Sequence, residues 1–412
     1  MKSLSSIILA VALGFCLVAC GQAELEPSST EAPPQTSEGR VLAAPFAKAI
    51  GPIDDKGRTV VYSPVDASGA LTVESKARLV DNMGKTLLET DYRDIWPLYT
   101  GDYYKFRLVT DGPWGLMDAQ GQVLQDPFAD ALEPFTDKDG NPRFSYQKEG
   151  LWGIYDPQSR TMTPALSESL PLPAGDGFVY SQKDLFGLAA GDGSPLVEPV
   201  FDWIGPFADD DRALYRFGDE YGIITAQGDR VKTLDLPGRL EATSFLNGLP
   251  LAYEKDGRWG LLDSDFKVLR EPFADAAIAM ISRGSQDEGY GLYEEKGRVG
   301  LLDAKGKVLR KSFADQVGPF TPAGHAIYRD GSQGGIIDLK GKEVSLPENQ
   351  GLGDFNALGY APFKQGGKWG VVNEKGRVVV KPTLAELRLF INGSQAWFRE
   401  KENGPWGIIS LN

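Results

Sequence analysis

A tryptophan-glycine step recurs along most of this chain, and its spacing limits what the chain can fold into more than any other feature. Arg258-Trp259-Gly260-Leu261-Leu262-Asp263 is a full copy. Trp114-Gly115, Trp152-Gly153, Trp369-Gly370 and Trp406-Gly407 are plain copies, and Phe186-Gly187, Tyr221-Gly222, Val299-Gly300 and Gly334-Gly335 are weaker ones. Two degenerate copies stand upstream, at Ile50-Gly51 and Ala77-Arg78. From Gly115 to Gly407 the glycine positions are 38, 34, 35, 38, 40, 35, 35 and 37 residues apart. A near-constant period of this length marks a repeat array, in which each unit buries its apolar face on its neighbours.

Residues 251–275 show what one unit contains. Leu251-Ala252-Tyr253-Glu254-Lys255 reads as a half-buried strand, Asp256-Gly257-Arg258 as a tight turn, and Trp259 to Asp263 as a second strand. Lys267-Val268-Leu269-Arg270 is a third, and Glu271-Pro272-Phe273-Ala274-Asp275 ends the meander. Six residues beyond the glycine position stand Gly57, Gly84, Gly121, Gly193, Gly228, Gly306, Gly341 and Gly376; Ser159 and Phe266 break the set. Asp lies three residues before most of these sites, as at Asp54, Asp303 and Asp338, with Asn373 in one copy. Asp-x-x-Gly is hairpin chemistry: Asp accepts backbone N–H bonds, and Gly supplies the positive φ. Each such turn offers one carboxylate, whereas calcium takes six or more oxygens, so no metal site is expected.

An aromatic residue stands seven positions before the glycine at Tyr146, Tyr180, Tyr215, Tyr253, Tyr293, Tyr328 and Phe363. Where Gly112-Pro113 and Gly404-Pro405 lengthen the turn, the aromatic sits two residues earlier, at Phe106 and Phe398, which preserves strand phase. Aromatic and Trp on neighbouring strands are expected to pack as a cross-strand pair, in the core or as a ladder for sugar rings. The linkers carry Glu133-Pro134-Phe135, Gly205-Pro206-Phe207 and Gly318-Pro319-Phe320, where proline is expected to end a strand and phenylalanine to anchor the link.

The pattern aromatic-x-x-x-turn-Trp-Gly-aliphatic-aliphatic-Asp-x-x-Gly-basic-Val resembles the WG, or KWG, repeat of bacterial proteins. Lys368 to Val379 is nearly that consensus, and the resemblance runs from about residue 45 to the C-terminus. It implies an all-β array of repeats of about 36 residues, often exported, with no catalytic residues to carry over. Two arrangements are open. Three strands per unit, many units, and a last copy that stops after its second strand favour an open or superhelical stack; a β-propeller is the alternative.

Before the array comes an export signal. Met1-Lys2 precedes an apolar run from Ile7 to Ala19, too short to span a bilayer. It ends in Leu17-Val18-Ala19-Cys20-Gly21, which resembles the lipobox of bacterial lipoproteins. The resemblance implies cleavage before Cys20 and lipid on Cys20. With Gly21 rather than Asp next, it also implies sorting to the outer membrane where the host has two. Residues 20–39, rich in Pro, Ser, Thr and Glu, read as a tether, and residues 40–412 as the β domain.

The only two cysteines are Cys16, inside the leader, and Cys20, so no disulfide or cysteine metal site is expected. A net charge of −14 argues against nucleic acid as a partner. No cofactor is implied. One expectation is a non-catalytic binding or scaffold lipoprotein, joined to the membrane through Cys20 and contacting an envelope protein or cell-wall glycan. Trp96, Trp203 and Trp397, outside the Trp-Gly position, are its candidate ligand contacts. A carboxylate hydrolase would have to use Asp209-Asp210-Asp211 or Asp137-Lys138-Asp139, with His325 as the sole histidine. A passive spacer is the third option. No catalytic motif is present, and the enzyme reading is set aside.

Overall fold

The computed structural model describes residues 41–411, apart from residues 48, 55, 66–70, 99–101, 242–247, 284–288, 332, 345, 347, 348, 350, 391 and 392. The leader and tether of the sequence analysis, with Cys20, lie outside the described residues. The described residues are all-β and form ten four-stranded sheets. We number these blades in chain order: blade 1, residues 49–89; blade 2, 94–129; blade 3, 131–162; blade 4, 172–201; blade 5, 203–234; blade 6, 239–274; blade 7, 279–314; blade 8, 316–344; and blade 9, 351–384. Blade 10 takes three strands from residues 386–410 and its fourth from Val41–Ala47, which runs antiparallel to Trp406–Ser410.

Four-stranded antiparallel blades in sequence, with the start of the chain completing the last one, have the connectivity of a β-propeller. That is the alternative arrangement, and it replaces the open stack. The last copy looked truncated because its missing strand lies at the other end of the sequence. The three-stranded unit is corrected as well. Each blade opens with a further strand, which is only two residues long at Trp203–Ile204, Arg239–Leu240, Gln316–Val317 and Gly351–Leu352. Pro134-Phe135 lies inside such a first strand, Ala131–Thr136, rather than ending one. A proline is tolerated there because a first strand is an edge of its sheet.

The repeated residues explain the blade. In blades 3 to 10 the aromatic of the second strand stands directly across from the glycine of the third, as in Tyr215↔Gly222, Tyr293↔Gly300 and Phe398↔Gly407, whereas in blade 1 Tyr62 stands across from Ala77. The ring lies over the glycine: a Cβ on Gly222 would sit 2.4 Å from Tyr215 Cζ, and one on Gly300 would sit 2.3 Å from Tyr293 Cζ. Glycine follows the tryptophan so that a buried ring can lie flat on the next strand. The tryptophan faces the preceding register position, Gln147↔Trp152, Glu254↔Trp259 and Lys364↔Trp369, and so projects from the opposite side of the sheet. The expected Trp–aromatic cross-strand pair is therefore wrong by one residue. A phenylalanine from the fourth strand of the preceding blade packs on the same ring instead, as Phe273 of blade 6 does on Tyr293 of blade 7 and Phe201 of blade 4 on Tyr215 of blade 5. These rings belong to the core; Tyr146, Tyr180, Tyr215, Tyr253, Tyr293 and Phe363 are all buried.

The turn expectation holds. All eight predicted glycines have positive φ, and at Phe266 the side chain itself accepts a φ of 65°. In the Ser159 copy the positive φ moves to Arg160. Asp263 Oδ1 accepts the amides of Asp265 and Lys267, and Asp303, Asp338 and Asn373 repeat this two residues and four residues on. Ile50-Gly51 needs correction. It lies in a first strand, Ala49–Ile53, and the turn at Asp54–Gly57 joins first strand to second rather than third to fourth. Several second-to-third turns are two-residue hairpins with both φ values positive, as at Asp256-Gly257 and Lys296-Gly297.

By contact density the described chain falls into two compact units. One holds residues 41–112, 116–123 and 317–411; the other holds 113–115 and 124–316. In each, the core consists of clusters between consecutive blades. In the first, Trp397, Trp406 and Ile408 of blade 10 pack on Ile53, Val61 and Val80 of blade 1. In the second, Leu214 and Ile223 of blade 5 pack with Leu251, Tyr253 and Leu262 of blade 6.

Candidate functional site

The tryptophans proposed as ligand contacts are dispersed. Trp397 is fully enclosed, part of the core between blades 10 and 1, where no ligand reaches it. Trp203 is half-buried in the first strand of blade 5 and packs on the blade 5–6 core. Trp96, in the first strand of blade 2, is 43% exposed and stands across from Lys105.

Two of the acidic residues weighed for catalysis, Asp137 and Asp210, hold structural partners through their carboxylates. Asp137 caps its own turn through the amides of Asp139 and Asn141 and pairs with Arg143 at 3.2 Å. Asp210 pairs with Arg212, whose guanidinium is the main reason its carboxyl lies below the ordinary range. The amide of Asp211 donates to the Ala208 carbonyl, and its carbonyl accepts from Ala226. His325 stands across from Asp338 and places Nδ1 3.6 Å from Glu374, which also accepts a bond from Thr321 Oγ1 at 3.0 Å. Among the described residues no group of three or more His, Cys, Asp or Glu side chains is arranged to hold a metal.

A denser polar network lies in blades 1 and 2. Buried Asp54 accepts Arg58 Nε at 2.6 Å and Tyr104 Oη at 2.7 Å, and its other oxygen takes the amides of Lys56 and Arg58. Asp102 pairs with Lys56 and Arg58. Burial opposes the charged guanidinium of Arg58, but its bonds to Asp102 and Asp54 outweigh that and raise its pKa. Burial and then the bond to Asp54 raise Tyr104. Every member is satisfied from within, as in a clasp between blades rather than a site poised to react.

The recess with binding character lies between blades 9 and 10, within one compact unit. It is an open groove of about 350 Å³, lined by residues 354–357, Pro362 and residues 387–389. Phe355, Ala357, Pro362, Leu387 and Leu389 make it mainly apolar. Two of its three polar residues are taken up elsewhere. Asp354 Oδ1 accepts Arg329 at 2.9 Å. Asn356 donates to the carbonyls of Phe390 and Gly393 and accepts the amides of Leu358 and Tyr360. The third is Arg388, on strand Glu386–Leu389, whose side chain lies with Trp397 and Trp406 on the face of blade 10 turned to blade 1, opposite the face of Leu387 and Leu389. Its guanidinium lies 4.9 Å from the Trp406 ring centroid, and Arg399 lies 4.4 Å from the same ring. Glu386, the nearby acid, pairs with Arg399 at 3.2 Å. Arg388 is exposed as a residue, yet partial burial lowers its pKa; Glu386 opposes that shift and Arg399 adds to it. No periodic signal marks this groove, because its walls come from a link of blade 9, one residue of that blade's second strand and the short first strand of blade 10.

Family comparison matches the description "WG containing repeat" at residues 187–221, 335–369 and 369–404. No curated protein matches the chain in sequence. Solved structures to which it is similar include a eukaryotic initiation factor, at 12% identity and a TM-score of 0.49 over 81% of this chain and 91% of that one. Another is dihydro-heme d1 dehydrogenase NirN in complex with DHE, at 18% identity and a TM-score of 0.39 over 80% and 83%. A third is BamB from Moraxella catarrhalis, at 13% identity and a TM-score of 0.32 over 77% and 96%.

Proposed function

We propose that this WG-repeat chain is a non-catalytic binding or scaffold module of the bacterial cell envelope, anchored by lipid on Cys20. The observation that carries the binding reading is the division of labour within a blade. The residues that repeat are taken up in packing: ring over glycine, turn aspartate on backbone amides, phenylalanine on ring. What varies from blade to blade is left at first strands and links, where the groove between blades 9 and 10 opens. A regular scaffold with variable edges suits recognition of a protein or a glycan. The anchor and the envelope address rest on Leu17-Val18-Ala19-Cys20-Gly21 and the tether that follows. A buried acyl chain contributes about 0.8 kcal/mol per methylene, and more than one chain gives stable attachment.

The test is affinity capture from detergent-solubilised cells with the tagged protein, beside a Cys20→Ala control. Incubation of the purified chain with cell-wall glycan runs in parallel. A stoichiometric partner, or saturable glycan binding, supports the module. Neither result would favour a passive spacer. Fractionation of Cys20→Ala into the soluble pool, with the parent in membranes, supports the anchor; equal distribution sinks it.

A further inference from the structure

We propose that the edge of blades 8 and 9 that carries Lys340, Lys342, Lys375 and Arg377 docks on the anionic phosphate headgroups of the membrane that the lipid on Cys20 enters, a reading that rests on the anchor proposed above.

Three observations converge. The first is a change of charge at a fixed backbone position. In blade 8 Lys340 and Lys342 stand two and four residues after Asp338, and both their amides bond to its carboxylate. In blade 9 Lys375 and Arg377 stand the same way after Asn373. Blade 2 makes the same two bonds from Gln120 and Gln122 to Asp118. The turn therefore uses the amides alone, and closing it requires no cationic side chain. Residues 301–412 hold 15 Lys and Arg against 11 Asp and Glu, in a chain whose net charge is −14. The second is that these cations are unanswered. All four are exposed, and none makes an ion pair among the described residues. The acids nearby are engaged: Asp338 by the two amides, Glu374 by Thr321 and beside His325, Asp354 by Arg329, and Glu343 in a contact of its own.

The third is where the chain enters the fold. Bonds run along this edge from blade to blade. Thr321 of blade 8 donates to Glu374 of blade 9, and Asn356 of blade 9 donates to the Phe390 and Gly393 carbonyls of blade 10. In blade 10 the amide of Leu411 donates to the Ser394 carbonyl, and Val41 stands across from Ile409. Val41, the first described residue after Cys20, thus lies on the edge that carries the cations. A lipid on Cys20 draws this edge to the bilayer rather than the opposite one, where the second-to-third hairpins lie. Salt screens exposed charges over about 8 Å, so the charges at the contact outweigh the net charge of the chain. An acidic protein would also meet these cations, but the entry of the chain at this edge favours the membrane.

The chain from Gly21 onward contains every described residue and lacks leader and lipid, so its membrane binding reports this surface alone. It is sedimented with vesicles of phosphatidylcholine and with vesicles containing about 40% phosphatidylglycerol. The expectation is binding to the anionic vesicles at least about tenfold stronger than to the neutral ones, a difference that disappears in about 0.5 M salt. Each cation near an anionic surface contributes about fivefold in affinity. Lys340→Gln with Lys375→Gln, which installs the residue that blade 2 uses there, should weaken binding about 25-fold at an unchanged melting temperature. Lys368→Gln with Lys401→Gln removes the same charge from the hairpin edge of blades 9 and 10 and should leave binding unchanged. Equal binding to neutral and anionic vesicles, or equal losses in the two double variants, overturns the surface. Absence of vesicle binding overturns it too, even where an acidic protein is captured. That result leaves the anchor standing, since the fractionation of Cys20→Ala tests the anchor separately.

Discussion

At the scale of single residues the blade depends on one contact, a ring lying on a glycine. Gly300→Ala places a methyl 2.3 Å from Tyr293 Cζ, so either the ring or the strand must move. Overpacking of this kind costs about 1–3 kcal/mol, readable as a fall in the urea midpoint. Arg160 makes the opposite case. It is exposed, with a φ of 57°, at a turn where neighbouring copies use glycine. Arg160→Gly should raise stability by a few tenths to about 1 kcal/mol, because a left-handed backbone is costly for any residue with a Cβ. A loss of stability would mean that the side chain makes contacts that outweigh the strain. The period and the turn glycines could be read from the chain because each answers a local backbone demand. The partner of each ring could not be read so easily. With a side-chain period of two, a shift of one residue moves a whole strand to the other face, and Trp and Gly are adjacent.

At the scale of elements, what could be read followed strand length. Second and third strands such as Leu251–Lys255 and Arg258–Leu262 are long enough to alternate and carry the aromatic and the Trp-Gly step. First strands of two residues have no periodicity to detect. Ile50-Gly51 reads as a copy of the Trp-Gly step because first-to-second turns use the same Asp-x-x-Gly chemistry as third-to-fourth turns, as Asp54 and Asp81 both show. The groove was invisible for a related reason: its residues come from one irregular link, a single strand position and a short first strand, none of which carries a periodic signal. The clasp of blades 1 and 2 yields a pH prediction. Burial pushes the Asp102 carboxyl up, but bonds from Lys56 and Arg58 outweigh that and hold it below the ordinary value. A depressed folded value adds stability above the ordinary aspartate pKa of about 3.9, and that contribution disappears as pH falls through the folded value. Asp102→Asn should therefore be less stable than the parent at pH 7, with the gap narrowing below about pH 3.9. A gap independent of pH would show that Asp102 acts by packing alone.

At the scale of the whole molecule, the dominant fact is that Val41–Ala47 completes blade 10. Removing residues 1–47 should leave Trp406–Ser410 with a bare edge and uncover the cluster to which Ala47 belongs. The expected result is a lower melting temperature and self-association by size-exclusion chromatography; a monomer of unchanged stability would mean that the strand is dispensable. Joining residue 411 to residue 41 by a short linker, with new ends in the hairpin at Glu149-Gly150, makes the same pairing local. Such a permutant should keep the parent's circular dichroism and refold faster in stopped-flow, because closing a long loop ahead of its contacts slows folding.

The same pairing sets an order in time. A chain is made from its N-terminus, so the strand that completes blade 10 is synthesised first among the blades and its partner, Trp406–Ser410, last. Until residue 410 exists, the earliest strand has nowhere to go. No prefix of the chain, however many blades it contains, can satisfy its own beginning. A ribosome that stops early or a protease that trims the C-terminus releases a product that advertises its incompleteness through an unpaired strand at its front, which is the kind of exposed edge that chaperones and proteases act upon.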